Sequence, residues 1–150
     1  MQCPYCFHED TKVTDKRDNE NITRRRRECL KCEKRFTTYE RFELDLGVIK
    51  KDGRREKFDR DKLFRGVEKN LEKRPFTADE VEQIVNDVEA KIYRSAQEKD
   101  IKSAKIGHIV MDKLKKVDKV AYIRFAAVYR DFADLDDFKD EIAKISNKKK

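Results

Sequence analysis

Two hydrophobic rhythms divide this chain. From Asp59 to Ile145 apolar residues return every three or four positions, the spacing that lines one face of a helix, whereas before Gly47 they are few and lie in short runs among polar residues. Asp59 is placed to cap a helix carrying Leu63, Phe64, Val67 and Leu71, which should end before Pro75. Thr77-Ala-Asp-Glu80 is a capping box that opens a second helix with Val81, Ile84, Val85, Val88 and Ile92 on one face. Ser103 is the expected cap of a third helix, with Ile106, Ile109, Val110, Leu114 and Val117, and Asp118 that of a fourth, with Val120, Ile123, Ala127, Val128 and Phe132. These stripes predict core. Leu135, Phe138, Ile142 and Ile145 form a last amphipathic set, followed by Asn147-Lys-Lys-Lys150, expected to be a disordered solubilising tail.

The earlier part reads as strands: Thr11–Thr14, Ile22–Arg27 and Phe36–Tyr39. Val48–Lys51 and Arg54–Phe58 flank Asp52-Gly53, the signature of a β-hairpin with a two-residue turn. The class is therefore α+β, a small β-rich segment followed by a mainly helical one that opens with a hairpin. The boundaries predicted are 1–46, 47–137 and a helical end with basic tail at 138–150.

Composition narrows what such a chain can be. In 150 residues, 46% are charged and 37% apolar, so any core must be thin or externally stapled. No stretch is long and apolar enough to cross a bilayer, so no membrane partner is expected. The opening Met1-Gln2-Cys3-Pro4 lacks the basic start and apolar run of a secretory signal, which points to the reducing cytoplasm and away from disulfides.

All four cysteines fall in two Cys-x-x-Cys pairs, Cys3/Cys6 and Cys29/Cys32. Each pair makes a knuckle that turns both sulfurs to one point, and two knuckles complete a tetrahedral thiolate shell, the arrangement of one structural Zn2+ per chain. His8 is read as a surface histidine, and His108 as a packing residue. Metal binding would supply folding free energy that so small a ribbon lacks.

The net charge of +7 is unevenly placed: +1 over residues 1–46, +3 over 47–138 and +3 over the last twelve. Within the first segment Arg24, Arg25, Arg26 and Arg27 stand together, too many for Glu28, Glu33 and Glu40 to neutralise. In a strand, Arg24 and Arg26 would face one side and Arg25 and Arg27 the other. Guanidinium forks suit phosphates, guanine edges and narrow A·T-rich grooves, so nucleic acid is the expected partner. Around the hairpin, Lys50, Lys51, Arg54, Arg55, Lys57 and Lys62 could cradle a phosphate, helped by helix amides after Asp59. No P-loop and no Ser/His/Asp or Cys/His constellation is present, so an enzyme is not expected.

Cys3-Pro-Tyr-Cys6, Thr11-Lys-Val-x-Asp15, Arg24-Arg-Arg-Arg-Glu-Cys29, Cys32-x-x-Arg35-Phe-Thr-Thr-Tyr-Glu40, Val48-Ile-Lys-Lys-Asp-Gly53 and Ala121-Tyr-Ile-Arg-Phe-Ala126 together resemble the NrdR family of bacterial transcriptional repressors over nearly the whole chain. The resemblance implies a zinc ribbon joined to an ATP-cone, and an ATP- and dATP-sensing homo-oligomer, a dimer or larger. It also implies repression of ribonucleotide reductase genes through paired A·T-rich boxes in double-stranded promoter DNA. On it, Cys3, Cys6, Cys29 and Cys32 hold the metal, and Lys12, Arg17, Arg35, Thr37 and Tyr39 join Arg24–Arg27 at the DNA. Val48 would pack on adenine, Glu56 hold the base, and Lys50, Lys51 and Lys62 neutralise the phosphates, with Mg2+ as a possible companion.

Lys16 departs from the family's usual Ser, Asn70 from Ala and Ala127 from Ser, and the stretch from Arg17 to Arg24 is short for the family. The rival reading of the ribbon is an RNA-binding or ribosome-associated protein that reads shape.

Overall fold

The structure, a computed structural model, describes residues 1–19 and 21–146; the expected tail at 147–150 lies outside the described residues. Packing divides the chain into two compact units, Met1–Leu44 and the remainder from Asp45. The first is a three-stranded antiparallel sheet of β1 (Thr11–Asn19), β2 (Ile22–Cys29) and β3 (Arg35–Arg41), with β2 in the middle. The strands run longer than the apolar pattern suggested, because cross-strand ion pairs replace apolar pairs along them. Lys12 Nζ lies 2.8 Å from Glu28, and Arg35 Nε donates to the same carboxylate at 2.8 Å. Among its described residues only Cys3 and Cys29 are buried, so this unit has no hydrophobic core beyond the cysteine cluster.

The second unit opens with β4 (Gly47–Ile49) and β5 (Arg55–Lys57), antiparallel, continues through α1 (Arg60–Leu71) and α2 (Ala78–Ser95), and returns to the sheet as β6 (Asp100–Lys102), parallel to β4. Helices α3 (Ser103–Val117), α4 (Lys119–Tyr129) and α5 (Leu135–Ser146) complete it. Asp59 caps α1 by accepting the Lys62 N–H, Thr77 and Glu80 form the reciprocal capping box of α2, and Asp118 caps α4 through the Ala121 N–H. Val67, Val85, Val88, Ile92 and Leu114 are almost fully enclosed, each stabilising the fold by roughly 1.5–3 kcal/mol. The architecture is the α+β one expected, a β ribbon followed by a mainly helical unit that begins with a hairpin.

Several local expectations are corrected. The hairpin turn is one residue longer than Asp-Gly implied: the Gly53 N–H donates to the Lys50 carbonyl at 3.0 Å and the Lys50 N–H to Arg54 at 2.8 Å, which leaves only Gly53, at φ 85°, left-handed. Asp52 instead accepts from the Arg54 backbone at 3.0 Å. Strand β6 was not anticipated. It occupies the residues just before α3, so Lys102 is the N-cap, with no side-chain hydrogen bond, and Ser103 is the first helical residue.

Val120 and Val128, expected in the core, are exposed, Val128 by 83%. Helix α4 instead buries Tyr122 together with Ala121 and Ala126, two small residues that bring its backbone close to its neighbours. Phe132 lies beyond α4 and packs edge-on against Phe138, while Leu135 and Ile142 are exposed. Of the departures from the family, Asn70 returns its side-chain amide to the Gly66 carbonyl at 2.7 Å within α1, and Lys16 pairs with Asp18 at 2.8 Å.

Candidate functional site

Three sites carry the chemistry, two in the ribbon and one in the helical unit. The sulfurs of Cys3, Cys6, Cys29 and Cys32 all lie within 4.8 Å of one another, with Cys3–Cys32 and Cys6–Cys29 each at 3.6 Å. A tetrahedron of Zn–S bonds of about 2.3 Å has edges near 3.8 Å, so the donor set fits that ion without rearrangement. The two knuckles are built alike. The N–H of Phe7 donates to the Cys3 carbonyl and that of Glu33 to Cys29, while Cys3 and Cys29 donate to His8 and Lys34. Phe7 and Glu33 both sit at left-handed φ, 59° and 58°, although neither is glycine. That repeated strain, of order 1 kcal/mol each, is tolerated where a cluster dictates the turn. Backbone N–H groups of Cys32 and Lys31 donate to Cys29 Sγ at 3.5 and 3.3 Å and lower its thiol below the ordinary range, whereas at Cys32 the Lys34 N–H is outweighed by burial and the three neighbouring sulfurs, which push the thiol up. Among the described residues, His8 does not join the cluster.

The sheet register sorts the arginines. Arg24 lies opposite Arg17 and Tyr39, Arg26 opposite Asp15 and Thr37, and Glu28 opposite Lys12 and Arg35. Residues directly opposite share a face, so Lys12, Arg17, Arg24, Arg26, Arg35, Thr37 and Tyr39 stand together on one side. Arg25 and Arg27 stand on the other, where Arg25 pairs with Glu40 at 2.5 Å and Arg27 donates to Thr38 at 3.3 Å and Thr11 at 3.5 Å. Arg26, at the middle of the central strand, is exposed, and its guanidinium has no ion-pair or hydrogen-bond partner among the described residues. The acids are committed: Lys12 and Arg35 hold the Glu28 carboxyl below its usual range, and Arg25 does so for Glu40. The face of Arg26 thus presents six cations, Lys12, Arg17, Arg24, Arg26, Arg35 and Arg41, against Asp15 and Glu28.

In the helical unit a cavity of about 360 Å³ opens between the hairpin and helices α1, α3 and α4. That is the size of a small-molecule site. Val48, Leu63, Val67, Val110 and Phe125 supply apolar wall, and Lys50, Glu56, Lys57, Asp59 and Lys62 the charged rim, with Lys50 Nζ 3.5 Å from Glu56. Lys51 does not line it; neither do Arg54, paired with Asp52 at 2.6 Å, and Arg55, paired with Asp100 at 2.7 Å. The helix amides invoked after Asp59 are not open to an anion, since the Asp59 carboxylate itself takes the Lys62 N–H at 3.1 Å. The start of α3 supplies what α1 does not: it reaches the cavity at Ser103, has no side-chain cap and carries no acid in its first turn.

Ser103, Gly66, Gly107, Phe125 and Tyr129 were not among the predicted site residues. A glycine inside each of two strongly patterned helices was the available signal. Behind the cavity Arg60 fixes the start of α1 to α2, donating to Glu82 at 2.6 Å, Asn86 at 2.7 Å and Glu89 at 3.0 Å. Arg124, in the Ala121–Ala126 motif, donates to the carbonyls of Asn70 and Glu72 at the end of α1.

Residues 1–40 match the family model described as "Transcriptional repressor NrdR-like, N-terminal domain", and residues 46–135 match the "ATP cone domain". Proteins named "Transcriptional repressor NrdR" are similar over almost the full length of both partners. That of Finegoldia magna is 50% identical, covering 98% of this chain and 99% of its own, and that of Caldicellulosiruptor bescii 51% over 99% of each. The protein of that name from Thermoanaerobacter sp. is 53% identical over 97% of this chain and 93% of its own.

Proposed function

This chain belongs to the NrdR family of transcriptional repressors, and from that premise we propose that it represses ribonucleotide reductase genes by binding paired A·T-rich promoter boxes under control of ATP and dATP. Repression and nucleotide sensing come with the family, whose role is not enzymatic. The observation that carries the finer reading is the cavity in which Lys50, Lys62 and the start of α3 face one ligand space with Val48, Leu63 and Val67. Such a site suits a ligand with an anionic end and a flat apolar end, which is a nucleotide. Val48 would pack on the base, Glu56 hold its edge, and Lys50 and Lys62 meet the phosphates, with Lys51 reaching them from the turn. Mg2+ would accompany the phosphates.

Cys3, Cys6, Cys29 and Cys32 would hold Zn2+, which fixes the two knuckles and with them the sheet. The arginine face would then be a rigid reader: Arg26 free to enter the groove, Arg24, Arg17, Lys12 and Arg35 near the phosphates, Thr37 and Tyr39 beside them, and Arg25 and Arg27 mainly bracing the sheet from behind. Domain limits near 46 and 137 would separate reader from sensor.

Control requires that nucleotide favour one assembly over another, because a ligand bound equally to both shifts nothing. Two ribbons joined in one homo-oligomer gain effective concentration at two boxes when their spacing matches and lose it when the assembly misaligns them. ATP and dATP must therefore stabilise different oligomers. The protein would work in the cytoplasm, at the nucleoid when bound.

Titration of the zinc-loaded protein with ATP tests the cavity. Lys62→Ala should weaken ATP binding on the order of tenfold or more while leaving nucleotide-free duplex binding unchanged. Unchanged ATP affinity in both Lys62→Ala and Lys50→Ala would remove the nucleotide from this cavity, and tighter binding of structured RNA than of paired duplex boxes would favour an RNA partner for the ribbon.

A further inference from the structure

Two glycines line the cavity, and they are there for opposite reasons. On α3, a Cβ added to Gly107 would lie 2.1 Å from the Tyr129 ring, so the missing side chain is replaced by packing. On α1, a Cβ added to Gly66 would meet no heavy atom within 4 Å apart from its chain neighbours and the backbone of its own helix turns. Nor does the backbone require glycine at 66: it lies inside a regular α-helix, and the glycine with positive φ is Gly53. Glycine is among the least favourable residues inside a helix, so this position lowers stability with no packing or conformational return.

The spacing says where the open space leads. Asp59, Lys62, Leu63, Gly66 and Val67 follow the i, i+3, i+4, i+7, i+8 pattern of one helix face, and all five line the cavity. Gly66 stands one turn beyond Lys62 of the cationic rim and beside Val67 of the apolar wall. A side chain there would project into the part of the cavity that a ligand must cross to reach both.

We infer that Gly66 is a specificity-determining residue of this cavity, its absent side chain holding open the passage that lets an elongated ligand with a polyphosphate end and an aromatic end lie along α1. The inference rests on the nucleotide reading above and adds to it the residue that sets the ligand's shape. Bulk at 66 divides the site in two. A short polyanion that needs only the lysines is still admitted, whereas a nucleoside triphosphate is not.

The test uses the full-length, zinc-loaded protein, ATP and inorganic tripolyphosphate as probes, calorimetric titration, and ligand-free melting of wild type, Gly66→Ala and Gly66→Leu. Both variants should melt at or above the wild-type temperature, since each replaces a helix-interior glycine by a better helix former. ATP affinity should fall modestly in Gly66→Ala and on the order of a hundredfold in Gly66→Leu, with tripolyphosphate affinity unchanged in both. Wild-type ATP affinity in Gly66→Leu overturns the inference and leaves the nucleotide site intact. A lowered melting temperature in both variants, or parallel loss of both probes, overturns it as well, because Gly66 would then serve packing. Failure of the wild-type protein to bind ATP sinks the nucleotide reading itself, and the inference with it.

Discussion

Replacing Arg26 by Ala should weaken DNA binding without touching the stability of the ribbon, and replacing Arg25 by Ala should do nearly the reverse. Arg26 is exposed on the central strand and free of ion pairs among the described residues, so its removal breaks nothing in the folded chain. Arg25 is paired with Glu40 at 2.5 Å on the opposite face, and removing it lowers fold stability only slightly, as the loss of a solvent-screened pair does. If Arg26 makes one phosphate contact, its loss lowers the slope of log affinity against log salt by about 0.9, which is roughly a 3.5-fold smaller decline between 50 and 200 mM salt. A bidentate contact to a base edge would add about 1–3 kcal/mol and relax the preference at one position. Duplex binding of wild type and both variants across that salt range, with thermal melting alongside, measures all of this. Equal affinity and equal slope for Arg26→Ala, or a larger loss for Arg25→Ala, would show that the ribbon reads DNA with its other face.

Chelating zinc should unfold the ribbon while the helical unit keeps its helix signal, because among the described residues the ribbon buries only Cys3 and Cys29 and depends on metal binding worth on the order of 10 kcal/mol; circular dichroism with strong chelator checks it. Gly107→Ala should destabilise the helical unit by about 1–3 kcal/mol, since its Cβ would overlap Tyr129, and the effect appears as a lowered melting temperature, opposite in sign to Gly66→Ala. Buried Glu141 accepts from Tyr122 and from Arg130 at 2.8 Å; burial opposes its ionisation, but these partners prevail and hold its carboxyl below the ordinary range. A depressed folded value contributes stability above the carboxyl's unfolded range and loses it as pH falls through the folded one. Melting temperatures of wild type and Glu141→Gln should therefore differ at pH 7 and converge as pH drops below about 4; a gap independent of pH would remove Glu141 from the linkage.

What was legible in the sequence was local. Caps at Asp59, Thr77 and Asp118 act through residues three positions away, and the helical unit's α1, α2 and α3 faces follow from a strong 3.6-residue repeat. Strand β6 escaped because Asp100-Ile101-Lys102 holds one apolar residue between two charges, and its partner β4 lies some fifty positions earlier, in a parallel pairing with no turn to announce it. Helix α4 was misread because its contacts run through alanines, whose burial depends on close backbone approach rather than on apolar bulk, so Val128 drew attention that belonged to Ala126. In the ribbon, alternation separated Arg24 and Arg26 from Arg25 and Arg27, but the irregular register between Val13 and Asp15 determines which β1 residues join each side. The cavity was half legible. Val48, Lys50 and Lys57 belong to a continuous hairpin and Lys62 follows it at the start of α1, while Gly66, Ser103 and Tyr129 come from three helices that only the fold brings together.

The central claim is that nucleotide in the helical unit governs DNA binding by the ribbon. Its most direct measurement is the affinity of zinc-loaded protein for a duplex with two correctly spaced A·T-rich boxes, taken with no nucleotide, with ATP and with dATP, while the mass of the protein in solution is followed. Tighter sequence-specific binding with dATP than with ATP, accompanied by a shift in mass, is the predicted result. Affinity and mass that stay the same in all three conditions would contradict the claim, leaving a DNA-binding ribbon joined to a cavity that does not control it.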